Sequence, residues 1–248
     1  MVRNGFLLEN IHKKYLVDNK EHLVLDDISL SISSEEITVI LGESGCGKTT
    51  LLRILAGLES TTSGNVYFFN NDKKCIPKVG VVFQESRLMP WLNVSENILL
   101  HTEKNNRNKV DLDRYLKMMK LEKFKNSYPN ELSGGMAHRV SIARALSFNP
   151  DILLMDEPFA ALDYFTRRKM QKEVVNIHKN TKKGVVFVTH NIEEAMEIAK
   201  KIIVFSKNKG IKQFSVEDES VEDEYNRDLT KSYYISLKKE ILRELGEF

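Results

Sequence analysis

Gly42-Glu43-Ser44-Gly45-Cys46-Gly47-Lys48-Thr49 has the spacing G-x-x-x-x-G-K-[ST], and it lies between an apolar run and a helical pattern. Glycines at those places let the backbone curl until several N–H groups point inward at phosphate oxygens. A helix starting near Lys48 adds the positive end of its dipole. Lys48 then reaches the β- and γ-phosphates of a nucleotide, and the Thr49 hydroxyl is suited to bind Mg2+. Farther along, Asp156-Glu157 ends another apolar run. A carboxylate there, across from a phosphate loop, holds Mg2+ through water, and the adjacent one accepts a proton from an attacking water. Leu132-Ser133-Gly134-Gly135-Met136 opens a helix. Ser133 can cap that helix, and the two glycines expose backbone N–H groups at its positive end, which makes a second anion site.

The elements that must position these groups are legible as short apolar runs. Ile37 to Leu41 ends at Gly42, Val79 to Phe83 at Gln84, Ile152 to Met155 at Asp156, and Val185 to Thr189 at His190. A fifth run, Ile202 to Phe205, has no special residue after it. Runs of this length, rich in Val and Ile, read as strands buried on both faces. Between them lie helical patterns over Thr49 to Gly57, Asp111 to Lys120, Met136 to Ser147, Tyr164 to His178 and Ile192 to Lys200. This alternation argues for an α/β fold with a mostly parallel sheet and helices on both faces. Ligands bind outside the carboxyl ends of such strands, so Gly42, Gln84, Asp156 and His190 are expected to share one site.

Residues 87–149 break the alternation and read as an inserted helical lobe, flanked by core segments over about 1–86 and 150–215. Glu217 to Asp228 holds seven acids and one Arg, which reads as a solvated linker. Tyr234, Leu237, Ile241, Leu245 and Phe248 then recur at spacings of three and four, one apolar face of a closing helix expected to dock on its own domain.

Composition narrows the class. The 248 residues are 42% hydrophobic and 29% charged, enough apolar side chains for a real core. Lys plus Arg number 37 against 35 Asp plus Glu, a net charge of +2 that lends no support to nucleic-acid binding. Cys46 and Cys75 are the only cysteines, so a disulfide-built secreted scaffold is excluded and a reducing compartment favoured. No leader-like apolar stretch opens the chain and none is long enough to span a bilayer. The expectation is a soluble cytosolic protein.

Asn108-Lys109-Val110-Asp111 fits the guanine-reading string N-K-x-D, but it follows a polar stretch and no D-x-x-G occurs, so it reads as a loop before a helix. The order of the motifs instead resembles the ATP-binding subunit of ABC transporters, over about residues 5 to 207. The resemblance implies a P-loop NTPase with a mostly parallel sheet, an inserted helical subdomain and an N-terminal antiparallel β part. It implies Gly42 to Thr49 as the Walker A loop, with Thr50 also at the nucleotide and Tyr15 stacked on adenine. Gln84 falls at the Q-loop glutamine, a Mg2+ ligand alongside Thr49 and Asp156. Ser133, Gly134, Gly135 and Met136 resemble the signature, Ala161-Leu162-Asp163 the D-loop, Glu157 the catalytic base and His190 the switch histidine; Lys48 completes the catalytic set.

The family uses one phosphate loop and one signature from opposing chains. A head-to-tail homodimer is therefore implied, closing on two ATP molecules with Ser133, Gly134 and Gly135 of one chain over the γ-phosphate held by the other. The resemblance also implies permease subunits in the membrane, a separate solute-binding protein and a peripheral place on the cytoplasmic face. Leu88-Met89-Pro90-Trp91-Leu92-Asn93-Val94, with the only Trp, lies where the family grips the permease; packing within the lobe is the competing reading. Together with Gly134-Gly135-Met136 it looks most like the nitrate, sulfonate and taurine importer branch, hence a small anionic or sulfonate-like solute. The alternatives are another importer, an exporter, a nucleotide-binding scaffold, or a non-transport ATPase acting on ribosomes or DNA.

Two departures stand out. Met136 replaces the usual signature Gln, with Ala137-His138-Arg139 following, and Ser34-Glu35 stands where a glycine commonly precedes Glu36. Neither removes a backbone donor or the catalytic carboxylate, so an active ATPase is expected. Cys46, beside Lys48 and a helix start, is expected to be a thiol whose alkylation inhibits and which ATP protects.

Overall fold

The protein was analysed as a computed structural model, which describes residues 3–102, 110–160, 162–206, 210–217, 225 and 227–246. Its centre is a six-stranded sheet made of β3 (Ile37–Gly42), β6 (Val79–Val82), β7 (Ile152–Asp156), β8 (Gly184–Thr189), β9 (Lys201–Ser206) and β10 (Gly210–Ser215). The spatial order is β10-β9-β3-β8-β7-β6, parallel except for β10, which returns antiparallel to β9. All five apolar runs are strands of this sheet, and β10 is an edge strand that the sequence did not announce.

Alternate side chains of each run go to opposite faces, as strand geometry requires. Ile37, Val39 and Leu41 of β3, Leu153 and Met155 of β7, and Val185 and Phe187 of β8 join one apolar cluster. Ile40, Ile152, Leu154, Val186 and Val188 join the other. Each run is apolar throughout because both faces are covered.

The two covers differ. On the first face lie the helices α2 (Val94–Ile98), α3 (Leu112–Met118), α4 (Gly134–Ser147), α5 (Tyr164–Thr181), α6 (Ile192–Ile198) and α7 (Ser232–Leu245). On the second lies α1 (Lys48–Leu55), together with an antiparallel sheet of β1 (Gly5–Val17), β2 (Lys20–Ser33), β4 (Ser63–Asn70) and β5 (Lys73–Cys75) in the order β2-β1-β4-β5. Helices thus lie on both faces, as expected, and on the second face α1 is joined by the apolar face of the antiparallel sheet, made by Phe6, Leu8, Leu30, Ile32 and Phe68.

Between β6 and β7 the described residues hold helices and 3₁₀ turns and no strand, the inserted lobe. Helix α7 docks on its own domain through Tyr234, Leu237 and Ile241, while Phe248 lies outside the described residues. The reading of 217–228 as a freely solvated linker needs correction at its described positions. Tyr225 packs on His178 at 5.7 Å, and Arg227 donates to the carbonyls of Met196 at 2.7 Å and Val216 at 3.3 Å. Ser34 and Glu35 have ordinary backbone angles, so no glycine is needed before Glu36; the close approach is made instead by Gly184, whose N–H donates to Ser34 O at 2.7 Å.

Candidate functional site

The loop after β3 is built for close backbone approach. Gly45 and Gly47 have φ of 77° and 98°, the region that favours glycine, and a Cβ on Gly47 would lie 2.7 Å from the Leu25 side chain. Gly47 is the N-cap of α1 and no side chain caps that helix, so its first N–H groups face the loop. Glu43, Ser44 and Gly45 are exposed on the rim. Lys48 is buried and folds back, its ammonium donating to the carbonyls of Gly42 and Glu43 at 2.8 Å each.

Strand order then brings distant groups to this loop. The Thr49 hydroxyl donates to Asp156 Oδ1 at 3.0 Å. Burial pushes the Asp156 carboxyl above the usual range and the neighbouring Glu157 adds to this, opposed by the Thr49 hydroxyl and by Arg53 and Lys48. Glu157 stands between two basic groups: Oε1 is 3.9 Å from Lys48 Nζ and Oε2 is 3.1 Å from His190 Nδ1. Its φ of 42° is left-handed, a conformation that costs a non-glycine residue about 1–2 kcal/mol and clusters at functional sites. Its N–H donates to Val188 O at 3.1 Å, which fixes it one strand away from His190. The expected edge is therefore formed by Gly42, Asp156 and His190, with Lys48, Thr49 and Glu157 inside it, and Gln84 follows β6 at the same end of the sheet, where Val82 pairs with Met155.

The other expected residues make no hydrogen bond or ion pair with Lys48, Asp156, Glu157 or His190 among those described. Gln84 is exposed beyond the end of β6, without a bond to Thr49 or Asp156. Tyr15 lies near the end of β1, and burial, followed by the neighbouring Glu59, raises its pKa. Lys13 Nζ sits 4.9 Å over the Tyr15 ring and 3.0 Å from Glu59. Thr50 follows Thr49 in the first turn of α1. Ser133 caps α4, accepting from Met136 N at 3.3 Å, and Ser133 and Gly134 are exposed on that helix start. Met136 packs partly against the first apolar cluster. Asp163 caps α5 by accepting from Thr166 N at 3.1 Å, and the Thr166 side chain, followed by that backbone N–H, holds its carboxyl below the usual range; Ala161 lies outside the described residues. Cys46 tucks against the second cluster, and neither Cys46 nor Cys75 is in a disulfide. Asn108 and Lys109 are outside the described residues, while Asp111 caps α3, as a loop before a helix should.

Several supports went unseen in the sequence. Asn97, fully buried in α2, accepts from Met89 N at 2.8 Å and donates to the carbonyls of Met89 and Leu92, which shapes the loop that leaves Trp91 70% exposed. Arg144 of α4 donates to the carbonyls of Ser86 and Arg87 just past Gln84. An amide on an otherwise apolar helix face was the available signal for the first; an arginine in α4 offered none.

Among the described residues no group of three or more His, Cys, Asp or Glu is arranged to hold a metal. Thr49 and Asp156 nonetheless fit Mg2+, which takes hard oxygen donors and needs only one or two from protein when phosphates and water supply the rest. No described helix is long and apolar enough to cross a membrane.

A parallel sheet whose strand ends carry a glycine-lysine phosphate loop, an Asp-Glu pair and a histidine, with an inserted helical lobe, defines an ATP-binding cassette ATPase. Residues 25–160 match the family described as ABC transporter. An uncharacterised ABC transporter ATP-binding protein of Methanocaldococcus jannaschii is 40% identical over 248 residues, covering 97% of this chain and 91% of its own length. An aliphatic sulfonates import ATP-binding protein of Bacillus cereus is 35% identical over 240 residues, covering 96% of this chain and 94% of its own. Among solved structures, the ATP-binding cassette MJ0796, a dimer in a post-hydrolysis state bound to ADP and Pi, superposes with a TM-score of 0.73 at 33% identity, over 86% of this chain and 99% of that one. The chain belongs to the ABC transporter family, as an ATP-binding subunit.

Proposed function

We propose that this chain hydrolyses ATP as a head-to-tail homodimer and so powers a solute importer, peripheral to the cytoplasmic face of the membrane and seated on permease subunits there. The solute is a small anionic or sulfonate-like molecule brought by a separate binding protein; similarity to a sulfonate import subunit supports that class. The observation that carries the hydrolytic part is Glu157 standing between Lys48 and His190, at 3.9 Å and 3.1 Å, beside the phosphate loop.

The residues divide the work as follows. The loop N–H groups and the N-terminus of α1 take the phosphates, and Lys48 exchanges the two loop carbonyls for phosphate oxygens. Thr49 and Asp156 would hold Mg2+, which supplies charge neutralisation to the transferring phosphoryl group. Glu157 accepts the proton of the attacking water, and His190 holds Glu157 and faces the γ-phosphate. Ser133, Gly134 and Gly135 of the opposing copy cap that phosphate. Binding two nucleotides thereby closes the dimer, and loss of the γ-phosphate reopens it. The exposed Trp91 loop supports a contact with the permease.

The test is Glu157→Gln. With ATP it should form a stable dimer by size exclusion while turnover falls by about 10²–10⁴. Wild-type-rate hydrolysis in that variant, or full-speed hydrolysis by a strictly monomeric protein, overturns the reading.

A further inference from the structure

The imidazole of His190 is 58% exposed and has Glu157 as its bonded partner, so its place depends on how firmly its backbone is held. That backbone is clamped from both sides. The Thr189 hydroxyl accepts from Asn191 N at 3.1 Å, bridging the residues on either side of the histidine. The same hydroxyl donates to Glu194 Oε2, and Glu194 Oε1 accepts from Gln171 Nε2 at 3.1 Å. Glu194 and Gln171 are both nine-tenths or more buried.

A carboxylate is costly to bury unless its oxygens are bonded, so this one needs a reason. Helix capping is not that reason. Asn191 already caps α6 by accepting from Glu194 N at 3.0 Å, which leaves the Glu194 side chain free to turn inward. It turns to the end of β8 and to α5. That helix is capped by Asp163, and its Arg167 donates to Leu162 O at 3.0 Å.

We propose that Glu194 is a positioning residue for His190, acting through Thr189, and that Gln171 ties the same carboxylate to the helix that follows Leu162 and Asp163. This rests on the reading of Glu157 and His190 as the hydrolytic pair. The clamp sets the imidazole against Glu157 and makes its position respond to movement of α5.

Thr189→Val tests it, because valine keeps the β-branched shape that suits β8 and removes only the hydroxyl. Steady-state hydrolysis of ATP with Mg2+ is measured together with the melting temperature. Thr189→Val is expected to lower kcat at least about tenfold while KM for ATP stays within about twofold. Thr189→Ser, which restores the hydroxyl, recovers most of the rate, and Glu194→Leu behaves like Thr189→Val. In a His190→Ala background Thr189→Val adds no further loss, because nothing is left to position. Full kcat in Thr189→Val, or a loss that persists undiminished in the His190→Ala background, overturns the positioning role while leaving His190 in place. Wild-type hydrolysis by His190→Ala itself overturns the reading beneath it, and the positioning role with it.

Discussion

The Thr49 hydroxyl donates to Asp156 Oδ1 at 3.0 Å across 107 positions of sequence, which joins the first turn of α1 to the end of β7. Burial raises the Asp156 pKa above its ordinary 3.8. The folded protein therefore keeps this proton to higher pH than the unfolded chain. Stability from this group is fully present below 3.8 and is lost as pH rises through the raised folded value. At neutral pH, without Mg2+, the ionised carboxylate is a cost. Asp156→Asn keeps an acceptor for Thr49 and removes that cost. The variant should melt higher than wild type at pH 7 without Mg2+, yet hydrolyse ATP at least about a hundredfold more slowly. Calorimetry with parallel phosphate release checks both.

Ser133 has two separable jobs. Ser133→Ala loses the α4 cap, costing about 1 kcal/mol of stability. Ser133→Asp keeps a capping oxygen and suits the helix dipole, so its melting temperature should match wild type. Its negative charge would oppose the phosphate of the other copy. In the Glu157→Gln background the Asp variant should therefore fail to dimerise with ATP. Undiminished dimerisation would sink the idea that this helix start meets phosphate.

His138 sits buried in α4, its Nδ1 without a partner, and burial holds its pKa below 6.5. As pH falls through 6.5 the unfolded chain takes up a proton that the folded state resists. Stability is present above 6.5 and is lost as pH falls toward the lower folded value. His138→Leu should flatten the decline in melting temperature between pH 7.5 and 5. A residual slope remains from His101, whose pKa burial also lowers. An unchanged slope in the variant would count against it.

Cys46 packs beneath the phosphate loop, its Sγ 2.8 Å from where a Cβ on Gly42 would be, so a bulky adduct must displace the loop. Alkylation should abolish ATP hydrolysis, and ATP should slow modification of Cys46 about tenfold or more. Cys75, exposed on β5, should label equally with and without ATP. Peptide mass spectrometry separates the two; equal labelling of Cys46 under both conditions is the adverse result.

The central sheet was legible because its strands are buried on both faces and so read as unbroken apolar runs. The N-terminal antiparallel sheet was expected from the family resemblance and not from residue alternation, because β1 and β2 alternate imperfectly. Register shifts follow Leu8 and Ile11, and Asn10 and Asp27 have φ of 49° and 47°, so the period of two is broken in the middle of the run. Asn191-Ile192-Glu193-Glu194 reads as a cap followed by two surface acids. Only packing turns Glu194 inward to Thr189 and Gln171 and leaves Glu193 to bond Lys238 at the surface.

The sequence by itself determined which group stands at the end of each strand, because a strand's end and the residue after it are local properties of the chain. Tertiary structure alone decided which of those groups meet. The sheet order β9-β3-β8-β7-β6 is not the order of the chain. It puts Glu157 against His190, 33 residues away, and leaves Gln84, after the outermost strand, without a bond to them. Those contacts depend on lateral pairing between strands, to which residue spacing along the chain carries no guide.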